Sequence, residues 1–356
     1  MHTSRPGRRF ALLATGVALA ALAALVSPSP AAADDPSYVA LGDSYSSGTG
    51  TRSYLADGTS CQRSVYAYPS LIASAQHYAL NFRACSGATI ADVTATQLSA
   101  LSASTTYVTI SVGGNDAGFA SVLTECALPG WMSNCNGRIS TAQGFITTTL
   151  PGRLSTLYGK IRAAAPQARV TVVGYPRLFD GRDCNALTWF SSSEMSKLNA
   201  TADLMNSRLS AAAGAAGFSV ANPTSRVLGH AVCDSPEWIN GLSYPISESY
   251  HPKVSGHRSG YYPTVSPYVA GVTAALTRTV LLRAAMSAPS LAAQQRAYAG
   301  LDARITPQAF RAPDLPGRRA VRAARRAGVD LSSRASIDRV DRIYSARQAR
   351  AWARTH

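Results

Sequence analysis

The chain has 356 residues, room for one large domain or two small ones with a substantial core. Its 46% apolar and 15% charged residues exclude a disordered chain. The net charge of +15 sits at the ends: residues 34–277 carry 15 basic and 14 acidic side chains, residues 278–356 carry 16 and 5, and residues 1–33 carry three arginines.

The amino terminus has the three parts of a secretory leader. Arg5, Arg8 and Arg9 form the basic part, residues 11–26 the small and apolar part, and Ala31-Ala32-Ala33 an A-x-A cleavage site before Asp34. The apolar run is 16 residues, short for a membrane span. No later stretch approaches about 18 consecutive apolar residues. The reading is a signal peptide over 1–33 and an extracellular protein, with Sec and twin-arginine export both open at Arg8-Arg9.

Short apolar runs then alternate with amphipathic segments. Strands are predicted over 37–41, 80–84, 107–112, 169–174 and 218–221. Helices are predicted over 68–76 with Pro69 near the start, 90–101, 140–165 with an interruption near Pro151, and 193–213. A last helix follows His251, with Pro263 and Pro267 expected to break or kink it. Strand and helix in alternation predict an α/β fold, with a parallel sheet covered on both faces. The loops 49–63 and 126–137, each anchored by a cysteine, are expected to border the substrate site.

The chain changes character after Thr277. Residues 278–356 are rich in Ala and Arg and punctuated by Pro289, Pro307, Pro313 and Pro316. Ile337, Val340, Tyr344 and Ala351 recur at helical spacing. This extension reads as a small helical appendage or a partly disordered tail. Three roles are open for its charge: a solvated surface whose arginines are compositional, attachment to an anionic envelope or membrane surface, and nucleic-acid binding. The last is disfavoured by the lack of a recognised fold and of interleaved aromatics.

The chemistry-bearing stretch is Tyr38-Val39-Ala40-Leu41-Gly42-Asp43-Ser44-Tyr45-Ser46: an apolar strand ending abruptly at a serine in a turn. The carboxyl edge of such a sheet is where α/β proteins bind ligands. Further along stand Cys85-Ser86-Gly87-Ala88, Gly113-Gly114-Asn115-Asp116 and Glu248-Ser249-Tyr250-His251-Pro252. These four blocks, in this order over residues 37–277, resemble the SGNH (GDSL) hydrolases, and in particular the secreted actinobacterial lipases and esterases of the Streptomyces type. They differ from the G-x-S-x-G elbow of the α/β-hydrolases, since Ser46 stands two residues after Ser44.

The resemblance implies a three-layer α/β/α sandwich with about five parallel strands, and a serine ester hydrolase with an acyl-enzyme intermediate. Ser44 would be the nucleophile and His251 the base. The N–H groups of Ser44 and Gly87 and the amide of Asn115 would form the oxyanion hole. Two partners are open for His251: the carboxylate of Glu248, one methylene longer than the Asp of most relatives, or the backbone carbonyl of Ser249. Asp43 and Asp116 are read as loop anchors.

Six cysteines behind a leader imply disulfides, and the resemblance implies the pairs Cys61–Cys85, Cys126–Cys135 and Cys184–Cys233. No cofactor or metal is implied. The expected substrate is an acyl ester of a lipid, with phospholipase A and carbohydrate acetyl-esterase as alternatives. An inactive envelope-binding protein of the same fold is the non-enzymatic alternative. The expected domains are 1–33, 34–277 and 278–356, in a monomer.

Overall fold

A computed structural model of the chain describes residues 1–4, 7 and 35–355. The expected leader therefore lies, apart from residues 1–4 and 7, outside the described residues. From Asp35 onward the protein forms one compact unit.

Five parallel strands make one sheet in the order β2-β1-β3-β4-β5. They are β1 (Ser37–Gly42), β2 (Ala79–Phe82), β3 (Tyr107–Ser111), β4 (Arg169–Val173) and β5 (Ser219–Ala221). Tyr38 pairs with Leu80 on one side and Tyr107 on the other, so β1 is flanked on both edges. Its near-continuous apolar sequence follows from that position, because a central parallel strand is covered on both faces. Helices Tyr68–Gln76 and Tyr262–Ala270 pack together on one face; Cys135–Thr148, Leu150–Ala164 and Ser192–Ala215 pack together on the other. The chain leaves β1 for β2 on one side and returns to β3 on the other. Such a reversal opens a crevice beyond the carboxyl ends of β1 and β3.

The end of β1 is held by fixed chemistry. A Cβ on Gly42, at φ +120°, would lie 2.3 Å from the carbonyl oxygen of Ser111, so glycine alone lets β1 run this close to β3. The side chain of Gln97 clamps the same residue, accepting from its N–H at 2.8 Å and donating to its carbonyl at 2.9 Å.

Several elements differ from their sequence reading. The expected helix over 90–101 begins at a Thr89–Asp92 capping box, then widens into a π-helical turn over Val93–Gln97 and tightens into a 3-10 turn over Leu98–Ala100. That turn carries Gln97, the clamp on Gly42. The helix expected over 140–165 divides near Pro151 as expected, at Thr149, with the proline in the first turn of the second piece, where a missing N–H costs little, but it begins earlier, at Cys135. The last catalytic-region helix, Tyr262–Ala270, continues through Pro267.

Residues 278–356 do not separate from the body. Helix Arg278–Met286 packs on Tyr68–Gln76, and Ala288–Arg296 lies against β2, covering the sheet edge. Ala323 and Ala324 of helix Arg318–Ala327 join Ile337 and Val340 of Arg334–Ala353 in a buried cluster with Trp131 and Trp189. Asp302 is wholly buried between Arg63 and Arg83, at 2.7 Å from each guanidinium. The composition change at Thr277 thus marks no packing boundary. The small alanine faces let Arg-rich helices lie flat on the body while the arginines point outward.

The three disulfides join Cys61 to Cys85, Cys126 to Cys135 and Cys184 to Cys233. The first ties loop 49–63 to the segment that carries Gly87. Among the described residues, no helix is long and apolar enough to cross a membrane.

Candidate active site

Ser44 stands at the mouth of the crevice. Asp43 caps the single turn Ser44–Ser47, its carboxylate accepting from the Tyr45 N–H at 3.0 Å. The other carboxylate oxygen accepts from the Tyr175 hydroxyl at 2.5 Å. Burial pushes the Asp43 carboxyl up to about 7, with the Tyr175 hydroxyl and the Tyr45 N–H pulling it back. Asp43 thus fixes the turn through Tyr45 and Tyr175.

His251 arrives from a loop on the far side of the crevice. Tyr250 holds a left-handed conformation at φ 63°, uncommon for a bulky residue. It is held there on both sides. Its N–H donates to the Asn240 carbonyl at 2.9 Å, and its carbonyl accepts from the Tyr45 hydroxyl at 2.7 Å. The ring of His251 then meets Ser44, with Nε2 2.8 Å from Oγ. Nδ1 lies 2.9 Å from the carbonyl oxygen of Ser249. A carbonyl can only accept, so Nδ1 carries the proton and Nε2 is free to accept from the serine hydroxyl. The protein packed round the ring disfavours the cation and lowers the His251 pKa to about 4, the Ser249 carbonyl raising it slightly.

The two candidates for orienting the histidine have different partners. The Glu248 carboxylate turns away from His251. One oxygen accepts from the Tyr54 hydroxyl at 2.6 Å and the other from Arg52 Nε at 3.1 Å. Glu248 thereby fastens the histidine loop to loop 49–63.

Gly87 and Asn115 lie beside Ser44 in the wall of the same cavity. Among the described residues, the N–H groups of Ser44 and Gly87 donate to no protein acceptor. The Asn115 amide donates one hydrogen to the Ala88 carbonyl at 3.0 Å, which orients the group and leaves the second hydrogen unused. Asp116 anchors the neighbouring turn by accepting from the Ile90 N–H at 2.9 Å. Ser44, Gly87 and Asn115 line the same cavity.

This cavity is apolar, holds about 310 Å³ and is lined by helices Phe119–Cys126, Cys135–Thr148 and Ser192–Ala215. Leu123, Ile146, Leu198 and Met205 line its depth. Loop 49–63 borders it through Ser60 and Gln62, as expected. Loop 126–137 does not: Gly130 and Trp131 pack instead against the carboxyl-terminal helices, the Gly130 N–H donating to Asp341 at 2.6 Å. Among the described residues, no group of His, Cys, Asp and Glu side chains is placed to hold a metal ion.

Sequence reasoning missed four contributors. Tyr45 lies inside the serine block and could have been singled out there, as the only bulky side chain between Ser44 and Gly50. Tyr175, Gln97 and the segment Pro307–Phe310 reach the site only through long-range contacts, and no local pattern marks them.

The pattern of the GDSL-like Lipase/Acylhydrolase family matches residues 40–259. Lipase 1 of Streptomyces coelicolor is 42% identical over 258 residues, 72% of this chain and 94% of that protein. The extracellular lipase of Streptomyces rimosus superposes with a TM-score of 0.63 at 40% identity, covering 66% of this chain and all of that one. Phospholipase A1 of Streptomyces albidoflavus gives the same TM-score at 41% identity and the same coverage.

Proposed function

Because the chain belongs to the GDSL-like lipase/acylhydrolase family and is a carboxylic ester hydrolase, we propose that Ser44 and His251 form its catalytic dyad and that it cleaves acyl esters of lipids outside the cell. The observation that carries this reading is the 2.8 Å contact between Ser44 Oγ and His251 Nε2 at the mouth of an apolar cavity.

In the acylation step Ser44 Oγ attacks the ester carbonyl carbon while His251 Nε2 takes the hydroxyl proton. The carbonyl oxygen becomes an oxyanion and accepts from the Ser44 N–H, the Gly87 N–H and the Asn115 amide. The tetrahedral species collapses, the ester C–O bond breaks, and His251 returns the proton to the departing alcohol. Water then attacks the acyl-serine as His251 takes its proton. Collapse breaks the acyl–Oγ bond, His251 returns the proton to Ser44 Oγ, and the carboxylic acid leaves.

The Ser249 carbonyl replaces the usual carboxylate. It selects the tautomer in which Nε2 faces Ser44, and its dipole supports the transient imidazolium. Glu248 anchors the loop that carries this pair. The likeness to both a lipase and a phospholipase A1 supports a long acyl chain in the cavity, with the alcohol side facing solvent. Export through a leader over 1–33 completes the reading, supported by three disulfides of a kind that persist in oxidising compartments.

The test is hydrolysis of p-nitrophenyl esters and phosphatidylcholine by wild type and Ser44→Ala. Loss of turnover by at least about 10³-fold in the variant is expected. Turnover at the wild-type rate would remove Ser44 from the mechanism.

A further inference from the structure

The cavity beside Ser44 is closed on one side by chain that the family pattern, ending at residue 259, does not reach. Residues 306–310 belong to no helix or strand, and 307–310 run along the cavity wall as a strap. Thr306, Pro307, Gln308 and Ala309 are solvent-exposed, Phe310 is buried, and Pro307 to Phe310 all line the cavity.

The strap is fixed at both ends. Upstream, Ile305 is buried in the main core and Asp302 is held by Arg63 and Arg83. Downstream, the Arg311 N–H donates to Thr124 Oγ1 at 2.9 Å, on the helix that lines the cavity. Phe310 is buried edge-on against Tyr250, the residue before His251, with ring centres 4.9 Å apart. At the other end Pro307 rests on Gly87: a Cβ there would stand 2.4 Å from the Pro307 Cα. The strap therefore touches the neighbours of both the proposed base and the proposed oxyanion hole.

We propose that this strap determines acyl-chain specificity, Phe310 and Ala309 forming the wall against which a straight acyl chain must fit. The inference rests on the reading of the site as a lipid-ester hydrolase. Two anchors give the strap a fixed position, so its side chains set the width of the cavity, as the walls of a packed pocket do. The bulk at 309 and 310 then sorts substrates by chain length. This differs from general support of the fold, which would change turnover of all esters together.

The experiment uses the full chain as wild type, Phe310→Ala, Phe310→Leu and Ala309→Trp, with p-nitrophenyl butyrate, octanoate, laurate and palmitate. Circular dichroism checks each fold. Phe310→Ala is expected to raise kcat/KM for palmitate relative to butyrate by about tenfold or more, the scale at which pocket volume discriminates chain length. Phe310→Leu should shift it in the same direction by less, and Ala309→Trp in the opposite direction. Ala309 is exposed, so that variant decides the matter even if Phe310→Ala fails to fold. A palmitate-to-butyrate ratio within about twofold of wild type in the folded variants, or a uniform fall across all four esters, would overturn the proposal. If wild type hydrolyses none of the esters, the function reading itself fails, and the strap proposal with it.

Discussion

Tyr45 donates a 2.7 Å hydrogen bond to the backbone carbonyl of Tyr250. The residue after Ser44 thus grips the residue before His251, across a gap of 205 positions in the chain. The Tyr45 ring also lies 5.2 Å from the His251 ring, so it spaces the two groups as well as tying them. Tyr45→Phe keeps the ring and removes the tie. The expected result is a fall in kcat of about 10–100-fold with KM unchanged, since small misplacements of reacting groups cost rate rather than binding. The loss of folding stability should be only about 1 kcal/mol. Steady-state kinetics beside a denaturation curve check both, and a kcat equal to that of wild type would show that the tie does not position the dyad.

Glu248 holds Arg52 and Tyr54 rather than His251. Glu248→Ala is therefore expected to retain turnover within about tenfold of wild type, while true orienting acids cost about 10⁴-fold when lost. The substitution should loosen loop 49–63 and raise KM through Ser60 and Gln62, which border the cavity. A 10⁴-fold fall in kcat would restore Glu248 as the third member of a triad.

In the proposed mechanism the pKa of His251 sets the acid limb of activity. Packing round the ring depresses it to about 4, so the neutral base persists well below the ordinary histidine range. His257, buried behind Tyr68, is lowered to about 3 by burial and by the nearby His251. For both groups the folded state favours the neutral form. Their contribution to stability is present above about 6.5, the unfolded value, and is lost as pH falls through about 4 and then 3. The kcat/KM profile on a soluble ester should accordingly fall with an apparent pKa near 4. An apparent pKa near the unperturbed value of about 6.5 would contradict the desolvated ring.

The carboxyl-terminal extension is joined to the body by charge as well as by apolar packing. Arg63 and Arg83 are wholly buried, and Asp302 bonds both, with Asp57 as a second partner of Arg63. Asp302→Ala leaves Arg83 without a carboxylate in a dry interior. Breaking such a pair typically costs about 3–5 kcal/mol. Urea denaturation should show a loss of that order, and a loss under about 1 kcal/mol would mean that water reaches the arginines.

The four sequence blocks were legible because their chemistry is local. A strand that ends at Gly42-Asp43-Ser44 needs a glycine where β3 crowds it and a short acid to cap the turn, and both needs leave a mark on adjacent residues. The five strands stood out for the same reason, as apolar runs bounded by turn residues. The π-helical turn at Val93–Gln97 was not legible, because apolar spacing does not distinguish it from an α-helix. Nor was the placement of the extension. Its buried face is alanine, which carries little hydropathic signal, and its anchoring Asp302 looks like any surface acid until Arg63 and Arg83 arrive from more than 200 residues away.

The central claim is that Ser44 is the attacking group, and the most direct measurement is covalent trapping. The protein would be incubated with a p-nitrophenyl alkylphosphonate, and the peptides mapped by mass spectrometry. One phosphonyl adduct on the peptide carrying Ser44, formed as ester hydrolysis is lost in equal proportion, is the expected result. Full loss of hydrolysis with the adduct on another residue, or persistent hydrolysis with Ser44 fully labelled, would contradict it.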